Sequence, residues 1–284
     1  MERITISELE SALLGHFPQE MAEPFDRTGL LVGDPHKTVT GVLVALDPSA
    51  EAIRQAVCMG ANVLLTHHPA YLTAPSDFKP AASPFFHDGA LVYEAIASGV
   101  ALMNFHTALD FAPQGACALA HKLGLSFQDY VLVKQPHTNL VVNPHFCSAT
   151  QVTEKACTGF GYGSYCALPQ TTSVAEFAAH IKRSLGRQPR CWGNAQSCID
   201  ALVIAGGSGA EACEAALQLG VTCAVVGEIK YHTALSLVAA GQCIIELGHD
   251  VSELPLVRVL YDLANSEFGN LVPLYLLEQN EYWF

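Results

Sequence analysis

Val63-Leu64-Leu65-Thr66-His67-His68-Pro69 is an apolar run that ends in two adjacent imidazoles and a proline. The run reads as a buried strand, and the proline stops it. Neighbouring side chains on a regular strand point to opposite faces. Where the strand ends, the backbone can turn and aim both rings at one place. Two imidazoles there suit metal binding or proton transfer better than packing. Upstream, Val42 to Leu46 is a second apolar run. Asp47 is read as a helix cap with Pro48 at the first helical position, and the helix closes at Gly60. Strand, helix and strand make a βαβ unit, which predicts a parallel sheet.

The chain supplies what a histidine pair needs. His106-x-x-x-Asp110 and His249-x-x-x-Glu253 each leave the end of a predicted strand, Val100 to Met103 and Cys243 to Glu246. Imidazoles and carboxylates are the ligand set of zinc, iron or manganese. Residues four apart share a face if the segment is helical. Three such stretches predict a site for two divalent ions, with carboxylates able to bridge them. His106, Glu228 and His232 are further candidates that would orient ligands or act as general acid or base.

The halves of the chain repeat one another. Met59 to Asn62 aligns with Leu219 to Thr222, each set carrying the glycine that ends a helix, Gly60 or Gly220. That alignment is read as placing His67 over Glu228 and His106 over His249. The expected fold is α/β, with two related lobes of largely parallel strands and the metal site in the cleft between them. The boundaries are set at 1–130 and 131–284, with the segments from about 243 packing back on the first lobe.

Elsewhere the pattern is plainer. Ile6 to Leu14 is a predicted helix capped by Ser7 with Glu10 three residues on, and Val174 to Leu185 is one capped by Ser173. Thr158 to Gly163 has the glycines of a phosphate loop without its lysine, and is read as a turn between strands. Gly206-Gly207-Ser208-Gly209 is read as a tight turn into a helix, Pro255 as opening another, and Leu271 to Leu277 as a terminal strand.

Composition bounds the function. The 284 residues carry 27 acidic and 14 basic side chains, net −13, with no basic cluster, so nucleic-acid binding is not expected. Half the residues are hydrophobic, enough for a large core. No secretory leader or membrane-spanning run is read, so a cytoplasmic location is expected. The ten cysteines form no C-x-x-C pair and are expected to be reduced thiols rather than ligands.

The segments LLTHHPAYL (64–72), NFHTALD (104–110), GGSG (206–209), GEIKYHTAL (227–235) and GHDVSE (248–253) resemble the motifs of the NIF-three-like family. Its bacterial members carry the name GTP cyclohydrolase I type 2 homologues. The resemblance runs from Asp26 to Glu253. It implies a two-metal site on His67, His68, Asp110, His249 and Glu253, the last shared between ions. It also implies two α/β lobes with the metals at their junction, and a toroidal homohexamer. The implied activity is metal-dependent hydrolysis of a small molecule, a nucleotide, by opening of the guanine imidazole ring. Two alternatives remain open: a non-enzymatic hexamer that binds metal or serves as an adaptor, and a two-metal phosphoesterase.

Overall fold

The computed structural model describes residues 3–80, 88–146 and 157–277. Two compact units emerge. One contains the chain up to Leu109 and again from Leu256, and the other runs from Asp110 to Pro255.

The first unit is built on a run of elements: α1 (Ile6–His16), β1 (Gly29–Val32), β2 (Val42–Ala45), α2 (Ala50–Cys58), β3 (Val63–Thr66), α3 (Asp88–Ser98), β4 (Ala101–Asn104) and the start of α4 (Thr107–Phe111). All residues of β2, β3 and β4 are buried, as continuous apolar strands covered on both faces should be. They pair in parallel, β2 with β3 and β3 with β4. β1 adds antiparallel beside β4. Ala52, Ile53 and Ala56 of α2 and Leu91, Val92 and Ala95 of α3 pack on Leu43, Leu64 and Leu102 of the sheet.

The second unit continues through α5 (Pro113–Ala116), α6 (Ala118–Lys122), β5 (Asp129–Lys134), β6 (Val141–Val142), β7 (Phe160–Ser173), α7 (Val174–Leu185), β8 (Arg190–Trp192), β9 (Cys198–Ser208), α8 (Ala210–Gln218), β10 (Cys223–Glu228), α9 (Tyr231–Ala239), β11 (Cys243–Glu246) and the start of α10 (His249–Phe268). Its sheet has the order β6-β5-β7-β9-β10-β11-β8, with β9, β10 and β11 parallel. The rest of α10 and β12 (Leu274–Leu276) belong to the first unit, where β12 lies parallel beside β2.

The α/β class and the two related, parallel-centred lobes agree with the sequence reading. The lobe boundary moves from 130/131 to 109/110, because Leu119, Ala120, Leu123 and Leu125 pack into the second unit's core and β5 pairs with β7. The return to the first unit comes at 256 rather than near 243, because β11 is held between β10 and β8.

Local corrections have simple causes. The cap of α1 is Thr5, not Ser7, and its hydroxyl exchanges hydrogen bonds with Glu8. Glu10 instead accepts from the Leu30 amide at 2.8 Å. Ser49, not Asp47, caps α2. Residues 160–163 are strand rather than turn: Gly161 lies so near β5 that a β-carbon would stand 2.5 Å from the Leu132 carbonyl oxygen. Helix α10 begins at His249 after Gly248, so Pro255 sits inside it and does not open it.

The repeat is also shifted by one at the strand ends. Thr66 in β3 and Val226 in β10 accept from Phe105 and Leu247, the residues that follow β4 and β11. His68, not His67, therefore corresponds to Glu228, and His106 corresponds to Gly248. Among the described residues, no helix is long and apolar enough to cross a membrane.

Candidate metal centre

In the first unit, β3 stops at Thr66, whose hydroxyl donates to the His68 carbonyl at 2.7 Å and closes a turn. The turn removes the strand's alternation and brings the His67 and His68 rings to 4.9 Å. His106, just beyond β4, lies 5.2 Å from the first ring and 5.6 Å from the second. One ligand atom from each of the three lies within 4.8 Å of the others.

Each ring is held at Nδ1. His67, fully buried, donates to the Phe105 carbonyl at 3.0 Å. The His68 Nδ1 meets Asp47 Oδ1 at 2.7 Å, and the His106 Nδ1 meets Asp26 Oδ1 at 3.0 Å. Carbonyl and carboxylate oxygens accept hydrogen bonds, so the proton belongs on Nδ1 and the lone pair on Nε2. A metal-binding histidine has this form, with its other nitrogen fixed by an acceptor.

The Asp26 side chain is fully buried, and its second oxygen accepts from the Thr107 amide at 2.9 Å and the Thr107 hydroxyl at 2.5 Å. Burial by itself would raise the pKa of this carboxyl. The His106 and Thr107 bonds outweigh it and hold the group below the usual carboxylate range. Asp26 thus braces the His106 ring and the first turn of α4.

The second unit has its own group of histidine and carboxylate side chains. His249 opens α10, its Nδ1 is 3.2 Å from Glu228 Oε1, and its Nε2 is 3.1 Å from Glu253 Oε2 one turn along. The four-residue spacing places both side chains on one helix face, as the sequence predicted. The Ser252 hydroxyl accepts from the Gly207 amide at 2.9 Å and donates to the His249 carbonyl at 2.7 Å. This ties the helix start to the end of β9. Gly207 has φ +56°, and a β-carbon there would stand 2.4 Å from Glu253 Oε1. The glycine is needed for the carboxylate to lie where it does.

Tyr162 donates to the Gly206 carbonyl on the same loop. Its phenol is pushed well above its ordinary pKa, first by burial and then by the Asp110 and Glu253 charges. Asp110 lies in α4. His232 is exposed in the first turn of α9, its ring 5.3 Å from that of Tyr231.

The supporting residues Asp47, Gly207 and Tyr162 were not singled out from sequence as parts of the site. Among the described residues, the histidines and carboxylates form groups that could hold a metal ion. Nitrogen and oxygen donors of this kind fit zinc, iron or manganese.

The Duf34/NIF3 (NGG1p interacting factor 3) family matches residues 4–280. The chain belongs to this family. A Streptomyces coelicolor relative named GTP cyclohydrolase 1 type 2 homolog is 32% identical over 231 residues, 80% of this chain and 73% of the relative. A Clostridium perfringens relative of the same name is 30% identical over 242 residues, covering 84% and 83%. A solved Staphylococcus aureus hypothetical protein superposes with a TM-score of 0.82 at 28% identity, over 100% of this chain and 99% of that one. A Bacillus cereus protein related to NIF3 has a TM-score of 0.79 at 20% identity over 100% of each chain, and supports the fold. In this NIF3 chain, the family match spans every histidine and carboxylate described above.

Proposed function

We propose that this NIF3-family protein holds two divalent metal ions on His67, His68, Asp110, His249 and Glu253, with Glu253 shared, and hydrolyses a small molecule of nucleotide type. The observation that carries the reading is that His67, His68, His106 and His249 are each anchored at Nδ1 by an oxygen acceptor. Packing alone needs no such uniform arrangement. Ions bound there would polarise the bond attacked and bring water towards ionisation near neutral pH. Asp47 and Glu228 fix the ring planes of His68 and His249. His106, braced by Asp26, is the residue positioned to exchange a proton with substrate or water. Glu253, buried in the space left by Gly207, presents a carboxylate whose charge a bound cation would compensate. The names of the bacterial relatives motivate a guanine nucleotide as the first substrate to try.

The test is elemental analysis of the purified protein, then a nucleotide screen with His68→Ala as control. The expected result is two divalent ions per chain and a turnover that the variant loses. No bound metal after reconstitution with zinc, iron or manganese would overturn the proposal. Metal without turnover would replace hydrolysis by a storage or adaptor role. Assembly as a homohexamer is proposed on the same footing. The exposed Phe25, Ile96 and Tyr231 are apolar surface that assembly could bury, and a monomer by light scattering would refute it.

A further inference from the structure

Three side chains in the second unit stand apart from the histidines and carboxylates. Cys117, 1% exposed, joins α5 to α6, Tyr130 is buried on β5, and Cys157 lies just before β7 with its surface partly open. The Tyr130 hydroxyl is 2.8 Å from the Cys157 sulfur, and Cys117 packs in the same apolar cluster. Phe127 backs the group, its ring 4.7 Å from that of Tyr130. One sulfur thus lies beside a phenol and a second thiol against an apolar wall. Donors favour the charged form of an acceptor. The Cys117 thiol first, with Tyr130 adding to it against burial, holds the Cys157 thiol below the ordinary range, while Cys117 and Tyr130 are pushed up.

We propose that Cys157 and Cys117 are a hydroperoxide-reactive thiol pair, with Cys157 as the nucleophile, Cys117 as the resolving thiol and Tyr130 as the donor that activates the first. The Cys157 thiolate attacks the terminal oxygen of a hydroperoxide. The O–O bond breaks, and hydroxide or alkoxide leaves and is protonated, leaving a sulfenic acid. The Cys117 sulfur then attacks Cys157. The S–O bond breaks, and the Cys117 proton departs with the hydroxyl as water. The two thiols lose two electrons in all, and the peroxide is reduced to water and an alcohol, or to two waters. A dithiol reductant restores the pair. The disulfide would tie the α5–α6 junction to the chain entering β7, and the pair functions whether or not metal is bound.

Site-resolved alkylation of the folded, metal-loaded protein with iodoacetamide, read by mass spectrometry, tests this. Cys157 should react at least ten-fold faster at neutral pH than Cys58, Cys191 and Cys198, although those three are exposed. Tyr130→Phe should reduce that advantage. Stoichiometric peroxide should give a peptide linked between Cys117 and Cys157, and Cys117→Ala should stop at a sulfenic acid trapped by dimedone. Should either variant fail to fold, the unmodified protein still decides, through the pH dependence of its labelling rates and its linked peptide. Labelling of Cys157 no faster than of the exposed thiols, or peroxide treatment without the linked peptide, overturns the proposal.

Discussion

The first unit runs α1-β1-β2-α2-β3-α3-β4-α4, and the second repeats that order as α7-β8-β9-α8-β10-α9-β11-α10. The agreement reaches single hydrogen bonds. The Ile6 and Ser7 amides donate to Lys37 and Pro35, and the Val174 and Ala175 amides donate to Ser197 and Ala195. Asp34 Oδ1 accepts from the His36 amide and Asn194 Oδ1 from the Gln196 amide, both at 3.0 Å. Ala101 donates to Asn62 as Cys243 donates to Thr222. An antiparallel strand flanks the third parallel strand in each, β1 beside β4 and β8 beside β11.

The backbone frame is repeated, and the chemistry at the strand ends is not. Where the first unit places Asp47 to hold His68, the second has Gly207, whose missing β-carbon admits Glu253 from a helix. Where the first has His68, the second has Glu228, which holds His249 instead. In one unit the strand end supplies the imidazole, and in the other it supplies the carboxylate that orients one. A sheet fixes positions in space, and the side chains at those positions are free to change role.

The largest test of this comparison lies in the cores. Met103 on β4 and Ile245 on β11 are matched and buried at 1% and 0% exposure. Each alanine replacement should cost about 2–5 kcal/mol. Hydrogen exchange read by mass spectrometry should show each loss mainly within the mutated residue's own unit. Equal acceleration in both sheets from either mutation would deny the units separate stability.

Next come the orienting carboxylates. Asp47→Asn and Glu228→Gln should each weaken metal affinity by about 10- to 100-fold. Asp47 should matter more, since it holds its ring at 2.7 Å against 3.2 Å and is the less exposed of the two. Calorimetric titration with zinc measures both. A larger effect at Glu228 would reverse the ranking drawn from these distances. Gly207→Ala, by displacing the Glu253 carboxylate, should also weaken binding, and unchanged affinity would mean that Glu253 is not a ligand.

Much of this was legible in sequence because it is local. The apolar runs of β2, β3 and β4, the glycines closing helices and the four-residue spacing of His249 and Glu253 need no partner to be read. The misreadings concern pairs far apart in the chain. Asp47-Pro48-Ser49 has the pattern of a cap, and only the fold reveals that His68, 21 residues on, takes the carboxylate. Asp26 finds His106 at a separation of 80 residues. Gly161 reads as a turn residue until β5 is packed against it. Gly207 is intelligible only once Glu253 fills the space where its side chain would be.

The smallest effects belong to the helix caps, where the two units are most alike. Thr5 and Ser173 each complete a capping box with a glutamate three residues on. Thr5→Ala and Ser173→Ala should each cost about 1 kcal/mol, seen as faster exchange of the Glu8 and Glu176 amides. The glutamates provide a finer distinction. Glu8 accepts from the Thr5 amide at 2.7 Å and hydroxyl at 2.9 Å. Glu176 accepts from the Ser173 amide and hydroxyl at 3.0 and 2.8 Å, and also from the Thr172 hydroxyl at 3.0 Å. These bonds, the backbone one foremost, hold both carboxyls below the ordinary glutamate range. A folded-state pKa below the unfolded one stabilises the fold above the ordinary range, and that contribution is lost as pH falls through the lowered value. Both boxes should therefore hold at neutral pH and open in acid. The extra Thr172 donor should make the α7 box open at the lower pH of the two. A carbon-detected NMR titration of the two carboxyl groups reads this directly, and Thr172→Val should bring the Glu176 midpoint up towards that of Glu8. Midpoints that already coincide in the unmodified protein would show that the third hydrogen bond adds nothing, and that at their caps the two units are equivalent.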